Sequence, residues 1–249
     1  MDPRQYAEHH AIEATHWWFR GRRAVLRRAI TDLAVRPNRV LDLGCGVGAN
    51  LDLLAELFPD ARRTAIDIED AALRFCGLRH DDALCRADAA TLPFDEGSFD
   101  LVVALDTLEH LPDDESAVAE FRRVCAPGGA VLLTVPAFPV LWGNIDELGH
   151  HYRRYRRAEL VARIESSGLE LAFARYFNFL LFPPIAAIRL LGRLWPARDR
   201  AAPKRSDFDV VREGLLNDLL ARTFALEARL LHWGPPFGVS LVCAARRPV

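Results

Sequence analysis

Lysine is almost missing from this sequence. Lys204 is the single one in 249 residues, and the rest of the basic side is arginine. Chemistry that needs an amine, such as Schiff-base formation, is therefore excluded outside the loop around Lys204. Paired cysteines are lacking too. The five present (Cys45, Cys76, Cys85, Cys125 and Cys243) are odd in number and include no C-x-x-C pair. That argues against a disulfide frame and a zinc cluster, so no metal is expected and a reducing, cytoplasmic compartment is. Net charge is small, −2 at neutral pH, which excludes the strongly basic footprint of a general nucleic-acid binder. No apolar run approaches the roughly 20 residues needed to span a bilayer. The opening Met1-Asp2-Pro3-Arg4 has no apolar core and is not read as a secretory signal. No internal repeat is evident. What is abundant is hydrophobic residues, 51% of the chain, enough for one large α/β domain with a decoration or two small ones.

The chain is organised around Val40 to Asn50. Arg39 to Leu43 is a short apolar run behind the Pro37-Asn38 turn signal and reads as a buried parallel strand. Gly44, Gly46 and Gly48 follow at alternate positions, and helical spacing takes over at Leu51, Leu54 and Leu57 or Phe58. Strand, glycine turn and helix start make an anion- and nucleotide-binding corner, because glycine lets a ligand lie against the backbone and the helix amides face it. A glycine turn needed only for tight strand–helix packing is the plainer alternative. The spacing is G-x-G-x-G with Asp42 two residues ahead, not the G-x-G-x-x-G of dinucleotide enzymes. It resembles the first motif of the class I S-adenosylmethionine methyltransferases.

Further acids close further strands. Arg62 to Ile66 ends at Asp67, which lies roughly 20 residues past the glycines and is placed to take both ribose hydroxyls. Ala83 to Ala87 ends at Asp88, which can accept from an adenine amine, with Leu92 and Phe94 walling the ring. Either acid can instead be a helix cap. Phe99 to Leu105 is a continuous fourth strand, Asp113 to Cys125 a helix, and Ala130 to Val135 a fifth strand after the Pro127-Gly128-Gly129 turn. The successive L-P-F-x-x-x-S-F-D-L-V, L-E-H-L and R-V-x-x-P-G-G segments resemble the same family in order and distance, over roughly residues 39–136. That resemblance implies an α/β, doubly wound, mostly parallel seven-stranded sheet. S-adenosylmethionine would be held by Asp42, Gly44, Gly46, Gly48, Asp67, Ile68, Asp88, Ala89 and Leu105. The last strand, Val239 to Ala244, should then pair antiparallel.

Two segments flank this core. Residues 1–38 form an N-terminal helical arm carrying His16-Trp17-Trp18-Phe19-Arg20-Gly21-Arg22-Arg23. Its aromatics either pack the arm down or roof the cofactor, where Phe19 offers a ring to a sulfonium and Arg22 a guanidinium to a carboxylate. The family likeness favours contact. The core takes residues 39–178, a helical insert 179–236, and the final strand 237–249. Within the insert, a long helix from Asp209 to about His232 should turn Val211, Leu215, Leu219 and Leu220 to one face. The Phe179–Trp195 front either completes the core as a lid or touches a membrane surface peripherally, with Arg189 and Arg193 snorkelling.

Methyl transfer is an in-line displacement that rests on alignment, and a base is needed only when the acceptor has a proton to lose. The candidates are His110, His150 and His151. His151 is preferred, with His150 the alternative, because Trp142 and Tyr155 flank the pair and Arg153 and Arg154 should keep the ring neutral. Each histidine also has a purely structural reading. The expected partner is a small-molecule or lipid-like acceptor, without nucleic acid. A nicotinamide oxidoreductase would share the sheet but want the other glycine spacing, and a Tyr-x-x-x-Lys dyad is impossible here. A non-catalytic subunit binding the same cofactor is the third reading.

Overall fold

A computed structural model describes residues 3–194, 211 and 213–249. The core is a seven-stranded sheet in the order β3-β2-β1-β4-β5-β7-β6. Its strands are β1 (Arg39–Leu43), β2 (Arg62–Asp67), β3 (Ala83–Arg86), β4 (Phe99–Leu105), β5 (Cys125–Pro136), β6 (Glu170–Phe177) and β7 (Ser240–Arg246). All pairs are parallel except those of β7, which runs antiparallel to both β5 and β6. The order reverses between β1 and β4, where a crevice opens beyond the strand ends.

The strands are legible as apolar runs because both faces are covered. On β1, Leu41 and Leu43 pack toward α5 (Asp114–Val124) and α7 (Arg157–Ser166), with Phe121, Leu160 and Ile164. Val40 faces the opposite way, toward α2 (Trp17–Asp32) and α3 (Ala49–Leu57), with Leu26, Leu51 and Leu54. β5 begins earlier than expected, at Cys125. The Pro127–Gly129 turn is absorbed into the strand as an irregularity opposite Phe99 and Leu101, with Gly128 at φ 74°.

The arm and the insert belong to one layer. α1 (Pro3–Ile12) sets Tyr6 against Val47 of the glycine turn and Ala72 of α4 (Asp70–Gly77). α2 packs along α9 (Leu215–Leu230), and a Cβ on Gly21 would lie 2.4 Å from the Phe224 ring. Asn217 ties the two, accepting from the Trp17 amide at 2.7 Å and donating to the Thr15 carbonyl at 3.0 Å. The expected apolar face of this helix is therefore corrected. Asn217, Ala221, Phe224 and Glu227 are buried, while Leu215 and Leu219 are 90% and 60% exposed. The polar bonds to the arm and the glycine notch decide which side faces in. The expected start at Asp209 lies outside the described residues. α8 (Phe182–Leu194) puts Leu181, just ahead of it, and Ile185 against the core, and leaves Ile188 71% exposed. No helix among the described residues is long and apolar enough to cross a membrane.

Candidate cofactor cradle and acceptor corner

The glycine turn leaves β1 with Gly44, Gly46 and Gly48 all at positive φ, 68°, 55° and 96°. Side chains are excluded at two of them. A Cβ on Gly44 would sit 2.6 Å from Thr107 Oγ1, and one on Gly48 2.7 Å from the His80 ring. Asp67, at the end of β2, staples the turn: its carboxylate accepts from the Gly46 amide and the Glu69 amide, each at 3.0 Å. Burial pushes its pKa up, against those hydrogen bonds. Carboxylate oxygens have further lone pairs, so ribose hydroxyls can still be accepted. Ile68 beside it is 54% exposed, an apolar surface at the mouth.

Asp42 is fully buried at the end of β1, and neither carboxylate oxygen has a hydrogen-bond partner. Burial raises its pKa to about 8, with Arg22 opposing and Asp67 reinforcing the shift. An orphaned buried carboxylate beside a glycine turn fits a ligand that brings positive charge, as a sulfonium and an ammonium do. Asp88 is exposed and caps its own turn, accepting from the Ala90 amide at 2.9 Å, while Ala89 is buried. Leu105 is buried at the end of β4. Leu92, expected with Phe94 to wall an adenine ring, is buried in the core, and the partly buried Phe94 packs against it and meets Phe99 edge-on.

Arg22 is the arm's deepest reach. Its guanidinium pairs with Asp106 at 2.6 Å, donates to Asn50 Oδ1 at 3.1 Å, and lies 5.1 Å from the Trp18 ring centroid. Phe19 packs against the rings of His9, His16 and Trp18. A cavity of about 220 Å³ opens between Phe19, Arg22, Ala49 and Asn50. Packing and cavity lining thus coexist in the one cluster. Asp106 was not singled out by the sequence, although a non-glycine residue at φ 58° on the ligand edge is unusual.

The histidines form a second corner beyond β4 and β5. Glu109 and His110 sit on a 3₁₀ turn, Leu108–His110, and His151 follows α6 (Asn144–Leu148). The His110 and His151 rings meet edge to face at 4.6 Å. His151 Nδ1 lies 2.9 Å from Asp146 Oδ1, which also accepts from Arg154 Nε at 2.7 Å. Burial pushes the Asp146 pKa up, but the bonds from His151 and Arg154 outweigh it and hold the carboxyl below its usual range. Burial, then the neighbouring His151, lowers His110 to about 4. His150 is exposed, at φ 55°.

Two expectations about the corner are corrected. Tyr155 is a core residue whose hydroxyl donates to Asp114 at 2.9 Å, so it offers no acceptor surface. Arg153 and Arg154 pair with Asp114 and Asp146, so their charges are spent on carboxylates rather than on His151. Glu109 and Asp146 escaped the sequence reading because their roles depend on three separate segments converging.

Residues 41–133 match the methyltransferase domain family. A probable S-adenosylmethionine-dependent methyltransferase of Mycolicibacterium smegmatis is 33% identical over 160 residues, 63% of this chain and 60% of that protein. Phthiotriol/phenolphthiotriol dimycocerosates methyltransferase 1 of Mycobacterium ulcerans is 30% identical over 142 residues, 55% of this chain and 52% of that protein. The chain thus spans between half and two thirds of the length of these curated relatives. One solved chain, from the complex of the Haloferax volcanii Trm112 methyltransferase activator with a methyltransferase, superposes at TM-score 0.61. It covers 98% of this chain and 95% of that one at 20% identity, a likeness of fold. Together with the sheet order, the glycine cradle and the acid closing β2, these matches make residues 41–133 a methyltransferase domain similar to those of the class I S-adenosylmethionine-dependent enzymes, with S-adenosylmethionine as the cofactor its cradle fits.

Proposed function

We propose that this protein moves the methyl group of S-adenosylmethionine to a small-molecule or lipid-like acceptor, with His151 positioned to take or hold an acceptor proton. The cofactor supplies an electrophilic methyl on sulfur. The chain's part is to align it, through the glycine turn, Asp42 and Asp67, and to exclude water with the arm. The observation that carries the base assignment is the Asp146–His151 pair at the ligand edge. Asp146 orients Nδ1, which leaves Nε2 as the acceptor of a proton. The absence of a side chain on Gly149 makes room for the ring, since a Cβ there would lie 2.8 Å from Nε2.

A greasy acceptor is supported by exposed Ile188 and Leu191 on α8, whose Arg189 donates to the Leu141 carbonyl at 2.8 Å next to the corner. The Mycobacterium ulcerans relative is itself named for a lipid. The same exposed residues would serve a peripheral contact with a lipid surface. His151→Ala should slow single-turnover methyl transfer by about 10²–10⁴-fold and leave S-adenosylmethionine affinity within a factor of a few. A variant that keeps both rate and pH profile removes His151 from the reaction.

A further inference from the structure

Glu109 presents a problem that the general-base reading does not solve. Its side chain is 1% exposed, and Oε2 has no hydrogen-bond partner. A buried carboxylate oxygen left without a partner is costly unless a cation or a proton meets it. Asp106, Arg22 and Arg154 act on it from around the corner, and two imidazoles lie beside it. Glu109, His110 and His151 each bring one ligand atom to within 4.8 Å of the others.

The outer partners of the two rings are equally telling. His151 has Asp146 at its Nδ1, and His110 is hydrogen-bonded to the Gly149 backbone. Each ring therefore has a hydrogen bond to an oxygen besides the ligand atom that it brings to the group. Metal-binding histidines are held in that way, by a carboxylate or a carbonyl on the far nitrogen. Asp146 is itself anchored by Arg154 at 2.7 Å and by the Gly143 amide at 2.7 Å, so the support is rigid.

We infer that Glu109, His110 and His151 bind one divalent transition-metal ion, of the zinc class, which holds the acceptor's oxygen beside the transferable methyl. Two histidines and a glutamate are a known set for zinc with one position left open. Bond lengths of about 2.0–2.1 Å put tetrahedral donors about 3.3 Å apart, so the three side chains close in slightly on the ion. Glu109 then gains its missing partner.

This inference rests on the proposed function for methyl transfer and the position of the acceptor and departs from it at the base, but ion binding stands on the three side chains alone. It changes the task of His151 from proton acceptor to ligand. The acceptor's hydroxyl, on the ion, loses its proton to solvent at lower pH than when free. An O–C bond then forms as the S–C bond breaks, and its electron pair stays on sulfur.

The test uses the full chain stripped of metal by a chelator, with Zn2+ titrated in against a chromophoric competitor. One ion per chain should bind, and Glu109→Gln and His110→Ala should each weaken binding tenfold or more. His232→Ala, on an exposed histidine outside the three-residue group, should leave it unchanged. Should either ligand variant fail to fold, Co2+ added to the wild type should give the visible bands of a four- or five-coordinate ion. Absence of a bound ion, or affinity unmoved by both substitutions, overturns the site. Loss of methyl transfer in His151→Ala, with no ion bound by the wild type, upholds the base reading and overturns this one.

Discussion

Asp42 carries the clearest proton linkage of the cradle. Its pKa is about 8 without ligand, raised chiefly by burial, so at neutral pH it is largely protonated. A bound cation favours the ionised form and lowers that value. Binding S-adenosylmethionine should therefore release a proton, and affinity should rise with pH until about 8 and then level off. Calorimetry in buffers of different ionisation enthalpy reads this directly, and Asp42→Asn should abolish the buffer dependence. A wild-type enthalpy independent of buffer would show that Asp42 does not meet the cofactor's charge. At this scale the sequence was informative where the signal is local: Asp42 and the glycines stand together within Asp42–Gly48. Asp106, Glu109 and Asp146 were not legible, because an isolated acid in a motif says nothing of the arginine or histidine that comes to it from another segment.

The helices that cover the sheet are held by unusually specific contacts. Glu227 of α9 is fully buried and accepts from the amides of Phe179 and Leu180, at 3.0 and 2.8 Å, where the chain enters α8. Burial raises its pKa to about 7, against those bonds and one from the Asn178 amide. The folded state then binds more protons than the unfolded one between the ordinary value of about 4.5 and about 7. Stability should fall as pH rises through that window and flatten above it. Denaturant melts should show that slope in the wild type and lose it in Glu227→Gln; equal slopes would contradict the assignment. The α2–α9 notch is a second test. Alanine normally strengthens a helix relative to glycine, yet at Gly21 a Cβ would lie 2.4 Å from Phe224, itself fully buried. Gly21→Ala should destabilise by about 1–3 kcal/mol, and a gain in melting temperature would mean that the notch is slack. The strands were readable because continuous apolar runs have few other uses. The face of α9 was not, since leucines surround it at Leu215, Leu216, Leu219 and Leu220 and its partner lies some 200 residues away, at Trp17.

Across the whole molecule, arm, sheet and insert converge on one edge. Arg22 of the arm reaches Asp106 after β4, Asn50 on α3 and, at 3.5 Å, Thr134 on β5, so three elements share one guanidinium. The glycine turn lies on one side of that link and the Glu109–His110–His151 corner follows Asp106 on the other. The order of motifs along the chain made the fold and the cofactor legible, since both depend on strand ends meeting at a single crevice. The acceptor was less so, because its surroundings come from loops and helices after β5 that follow no shared spacing. The central claim is methyl transfer from S-adenosylmethionine to a small or lipid-like acceptor. Methyl-labelled S-adenosylmethionine incubated with the protein and a host lysate, followed by organic and small-molecule extraction, tests it most directly. The account predicts label in an extractable compound, lost when Gly44→Val closes the cradle. Label confined to protein or nucleic acid, or no transfer by a protein that binds the cofactor, would contradict it.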